Sequence, residues 1–110
     1  MDSKYHHTFI SKGIYVINYK FNKLLISAKN MFSDCRCLLS LDLSNFNAQN
    51  ITDMSYMFFG CESLLSINLS NFNTQKVTTM EHMFFNCNSL PSLNLSSFNT
   101  KNVPILNSFN

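Results

Sequence analysis

Glycine and proline are almost missing from this sequence, with two of each in 110 residues, and tryptophan is absent. Two glycines leave no room for a glycine-rich phosphate loop. Turns must therefore be made by Asn, Ser and Asp, whose side chains bond to their own backbone. Charge is scarce too, at 13% of residues and a net +2, and it forms no runs. That balance offers no footprint for a nucleic acid or a membrane surface. No apolar run approaches membrane-spanning length, so no membrane insertion by this segment is expected. The opening MDSKYHHTFISKG lacks the apolar core of a signal peptide.

What is present is repetition. Residues 31–56, 57–82 and 83–108 read MFSDCRCLLSLDLSNFNAQNITDMSY, MFFGCESLLSINLSNFNTQKVTTMEH and MFFNCNSLPSLNLSSFNTKNVPILNS, three near copies at a period of 26 residues. A fixed period of this length is the mark of stacked units, each burying its apolar face against the next. The apolar set is what recurs: Met57, Phe58, Cys61, Leu64, Ile67, Leu69 and Phe72 have apolar counterparts one period before and after. Between them stand mostly Ser, Asn, Thr and Gln, as one buried and one wet face require.

Within a rung, Leu64, Ile67 and Leu69 follow an L-x-x-L-x-L spacing, and 66–70 alternates polar and apolar as a half-buried strand does. Strands are expected at 40–43, 66–69 and 92–95. Further on, Val77, Met80, Met83, Phe84 and Cys87 fall on one helical face, and Thr78 with Glu81 has the spacing of a capping box. Short helices are expected at 52–60 and 78–86, with a related one at 25–33. The expected fold is α/β: a leucine-rich-repeat-like, right-handed solenoid with a parallel sheet on one face and short helices on the other.

Residues 1–30 read as an N-terminal cap and a degenerate repeat. A shift of 26 sets Tyr15 under Leu41, Ile17 under Leu43, Leu25 under Ile51 and Ala28 under Met54, with a strand at 14–19. Tyr5, Phe9 and Ile10 would cover the end of the stack. Residues 31–110 hold the three repeats, and the array reads as truncated after Asn110, able to stack on further repeats.

Chemistry-bearing residues are few. Cys35, Cys61 and Cys87 form a column at the repeat period and Cys37 stands outside it. At a strand spacing of roughly 4.8 Å neighbouring members are close enough for a disulfide, yet three cannot pair evenly, and reduced core residues are the simpler reading. Cys35-x-Cys37 has no second pair to complete a zinc site. His6, His7 and His82 read as surface residues. No nucleophile stands at a defensible spacing from a base, so no catalytic residue and no cofactor is expected. Asn47, Asn73 and Asn99 follow each rung's Phe, where a stacked amide would satisfy turn backbone. Ser40, Asp42, Ser44, Ser66, Asn68, Ser70, Ser92, Asn94 and Ser96 would form a polar grid on the outer strand face, either a wet surface or a candidate binding face.

The run M-F-x-x-C-x-S-L-x-S-[LI]-x-L-S-x-F-N-T-x-x-V-T-x-M, complete from Met57 to Met80, resembles the BspA-like leucine-rich-repeat surface proteins. The resemblance implies a leucine-rich-repeat solenoid, display on a cell surface, and adhesion or host contact. On this basis the chain is expected to be a non-catalytic binding module for a protein or glycan partner. The alternative is a structural spacer in a longer array. With no export signal or anchor in the sequence itself, a cytoplasmic location stays open.

Overall fold

The computed structural model describes residues 13–16, 25–99 and 102–103. Three strands, β1 (Gly13–Val16), β2 (Leu38–Asp42) and β3 (Ser66–Asn68), form one sheet in the order of the chain. Both pairings are parallel. Ser40, Leu41 and Asp42 face Ser66, Ile67 and Asn68, so the sequence period is the register itself. β1 holds the same offset from Ile14 onward, with Tyr15 beside Leu41, after a one-residue irregularity at Gly13. The degenerate repeat is therefore part of the stack, and the expected positions at Ile17 and at 18–19 lie outside the described residues.

The expected helices are not there. Among the described residues there is no helix, and the α/β solenoid with helices along one face is corrected to a stack of parallel strands and hydrogen-bonded turns. The reason lies in where the backbone N–H groups go. In 54–60, alternate groups reach across to the next rung: Met54, Tyr56, Phe58 and Gly60 donate to the carbonyls of Thr79, Glu81, Met83 and Phe85 at 2.8–3.0 Å. The groups between them turn inward, Met57 to Met54 O, Phe59 to Tyr56 O and Cys61 to Phe58 O, each three residues back. A helix would need every one of these donors for its own i−4 carbonyls.

Two left-handed residues per rung make the alternation possible. Asn30 and Asp34, Tyr56 and Gly60, and His82 and Asn86 have φ between +52° and +74°. For L-residues such as Tyr and His this conformation costs about 1–2 kcal/mol, offset here by the cross-rung bonds it permits. The helix-like spacing of Met80, Met83 and Phe84 does mark a buried face, but three-residue turns produce the same spacing. Thr78 and Glu81 form no cap; the Thr78 hydroxyl donates to Thr52 O one rung below at 3.2 Å.

The core is a set of columns. Met31, Met57 and Met83 are fully buried, and the rings of Phe32, Phe58 and Phe84 stack at 5.6 and 5.2 Å with interplanar angles of 2° and 12°. A second ring column runs through Phe46, Phe72 and Phe98 at 5.4 and 5.8 Å. Each column turns one sequence position into a continuous apolar rod, which repeat stacking requires. Packing loosens in the third rung: Leu90, Leu93, Leu95 and Phe98 are only half-buried, and 92–95 does not form the expected strand.

Polar side chains close the turns. Asn47 and Asn73 each accept the N–H two residues on, at 3.1 Å, as expected of turn amides. The Thr74 hydroxyl, buried, donates to Asn99 O at 3.1 Å and accepts Asn99 N–H at 2.8 Å.

Candidate functional site

Of the nine grid residues the sheet itself carries four, Ser40, Asp42, Ser66 and Asn68. Ser40 and Asp42 on β2 stand beside Ser66 and Asn68 on β3, and the Ser40 and Ser66 hydroxyls share a hydrogen bond of 2.8 Å. Ser44 and Ser70 follow each strand at the turn. Ser92, Asn94 and Ser96 continue the columns, exposed, on an irregular segment and not on a strand.

The middle column is built into the fold. Asp42, Asn68 and Asn94 each turn a side-chain Oδ1 onto the N–H of Ser44, Ser70 and Ser96 at 2.9–3.0 Å. These are Asx turns that end the strand segment. At Asp42 the hydroxyl and N–H of Ser44 favour the charged form and lower the carboxyl pKa below its ordinary value. Asn68 thus has its side-chain oxygen committed to its turn, and the residue as a whole is exposed.

The same face has an apolar margin that pattern reading passed over. Ile14, in register with Ser40, is 76% exposed, and Leu65, one residue before β3, is 56% exposed. Leu65 N–H donates to Leu39 O at 2.7 Å, so Leu39 and Leu65 lie side by side next to the serine column. Their recurrence at one position of the rung was the available signal.

A second surface feature lies on the turns. Tyr56, Phe59, His82 and Phe85 form a four-membered ring cluster, with centroids 5.1–5.5 Å apart on all four sides. Phe85 is 38% exposed. His82 places Nε2 4.0 Å from a Glu81 oxygen, and its Nδ1 is buried with no hydrogen-bond partner among the described residues. Tyr56 and His82 occupy one left-handed column, and their rings lie over the Phe59 and Phe85 column. Tyr56 with His82 and Phe59 with Phe85 each recur at the 26-residue period, and the turn geometry brings the two columns together.

All four cysteines are free. The Cys61 and Cys87 thiols hold the same pose, each donating to a Phe carbonyl 29 residues earlier, Phe32 O and Phe58 O, at 3.1 Å. Among the described residues no three His, Cys, Asp or Glu side chains gather as a metal cluster, and no helix is long and apolar enough to cross a membrane.

No curated protein and no solved structure matches the chain. A family model does match, over residues 26–109, which is all three repeats and the end of the degenerate one. The chain accordingly belongs to the family described as Mycoplasma protein of unknown function, DUF285.

Proposed function

We propose that this chain is a non-catalytic binding module that engages a protein partner through the outer face of its sheet. The observation that carries the reading is the exposure of Ile14 and Leu65 beside the Ser40–Ser66 hydroxyl ladder. Large aliphatic side chains left in water next to short polar ones match the mixed character of a protein-binding patch. The patch is rigid because backbone pairing and Asx turns set it, so little ordering cost opposes binding. Each rung adds only a small contact, and useful affinity comes from several rungs engaging one extended partner. Display on a cell surface, with a role in adhesion, follows from the resemblance to BspA-like surface proteins.

The test is binding of the chain to a panel of immobilised extracellular-matrix proteins and mucin glycoproteins, followed by biolayer interferometry. Binding to at least one protein is expected, lost in Leu65→Asp and kept in Lys76→Glu, which lies beyond the turn. A chain that binds none of them, or whose binding survives Leu65→Asp, is a spacer or uses another surface.

A further inference from the structure

The cysteine column is not uniform in its surroundings. Cys35 and Cys61 are buried in the core, whereas Cys87 is only partly buried against it. It lines a cavity of about 220 Å3 together with Phe84, Leu90, Pro91, Ser92 and Leu93. Because Cys61 and Cys87 make the same bond to the same kind of carbonyl in adjacent rungs, they are offset by one rung rise. That rise is roughly 4.8 Å between backbones, inside the Cα separation that a disulfide spans.

We propose that Cys87 and Cys61 are an oxidisable dithiol: a small hydroperoxide entering the cavity is reduced at Cys87, and Cys61 then closes a disulfide that links the second rung to the third. In the first step the Cys87 thiolate attacks one peroxide oxygen and the O–O bond breaks. The alcohol leaves with the proton and Cys87 holds a sulfenic acid. In the second step Cys61 sulfur attacks Cys87 sulfur. The S–O bond breaks, and the hydroxide departs with the Cys61 proton as water. Two thiols lose two electrons and the hydroperoxide becomes alcohol and water.

The order of the two residues follows from their environments. The neighbouring Cys87 thiol and burial together push the Cys61 thiol up, so Cys61 stays protonated and closed off until its neighbour is oxidised. Cys35 is buried and does not line this cavity, which makes Cys61–Cys87 the expected bond and Cys35–Cys61 the wrong one. The proposal does not depend on the sheet face being a binding surface.

The test uses the full chain carrying Cys37→Ser, treated with hydrogen peroxide, alkylated, and digested with trypsin. Cleavage after Lys29, Arg36, Lys76 and Lys101 puts Cys35, Cys61 and Cys87 on separate peptides. The expected product is a reducible link between peptides 37–76 and 77–101, found in the monomer band of a non-reducing gel. A link between 30–36 and 37–76, a link confined to a dimer band, or a dimedone adduct at Cys87 with Cys61 still reduced would overturn it. In Cys87→Ser, oxidation of Cys61 should slow at least tenfold; an unchanged rate shows that Cys87 is not the entry point.

Discussion

Replacing Phe58 by Ala tests the column architecture most directly. Phe58 is fully buried at the centre of a three-ring stack, 5.6 Å from Phe32 and 5.2 Å from Phe84. Truncating a buried Phe to Ala costs about 3–5 kcal/mol, and the upper part of that range applies where neighbours cannot collapse into the space. Here the neighbours are held by cross-rung bonds on both sides of the ring, Phe32 N–H to Met57 O and Phe58 N–H to Met83 O, at 2.8 and 2.9 Å. Two ring contacts worth about 0.5–1.5 kcal/mol each beyond their buried area also disappear. A loss near 4 kcal/mol is a large share of the roughly 5–15 kcal/mol that holds a domain together, and it lowers Tm by about 15–30 °C. The control is Phe85→Ala. It removes the same atoms one rung later, from a ring stacked on Phe59 at 5.5 Å but 38% exposed, and should cost about 1 kcal/mol. Urea denaturation followed by far-ultraviolet circular dichroism gives both values. Equal losses, or a larger loss at Phe85, would refute the assignment of the Met31–Phe32, Met57–Phe58 and Met83–Phe84 columns as the centre of the core.

Other outcomes follow from single contacts. Gly60 has φ +74° and an added Cβ would meet the Asp34 carboxylate, so Gly60→Ala should lose at least about 1 kcal/mol. Gly60→Asn should lose less, because Asn86 and Asp34 hold the same conformation in their own rungs. Thr74→Val removes the hydroxyl that serves both the N–H and the carbonyl of Asn99, and should cost about 1–2 kcal/mol by thermal melting. The depressed Asp42 carboxyl contributes stability that is full above its ordinary pKa of 3.8 and is lost as pH falls through the lowered folded value. A urea series between pH 5 and pH 2.5 should show this decline, and Asp42→Asn, which keeps the turn as Asn68 does, should flatten it. Asn68→Asp should leave stability within about 0.5 kcal/mol, whereas Asn68→Leu strands the Ser70 N–H and should lose about 1 kcal/mol.

The sequence alone determined the stack. Apolar identity recurring every 26 residues can be satisfied only by laying like on like, and the Ser40–Ser66, Leu41–Ile67 and Asp42–Asn68 register is that period made physical. Even the worn first rung was readable, since Tyr15, Leu25 and Ala28 keep the spacing. The polar grid was readable for the same reason, as strand alternation places Ser40, Asp42, Ser66 and Asn68 together. What the sequence did not determine was how the chain returns from one strand to the next. Met80, Met83 and Phe84 bury one face whether the backbone is a helix or a run of three-residue turns, so periodicity could not separate the two. The choice was made by tertiary structure, because a neighbouring rung offers its carbonyls to every second N–H, and Tyr56, Gly60, His82 and Asn86 take left-handed conformations to reach them. The same long-range pairing brought Tyr56, Phe59, His82 and Phe85 into one cluster and left Leu65 in solvent. Neither outcome is written in a single rung, since each depends on what the rung above supplies.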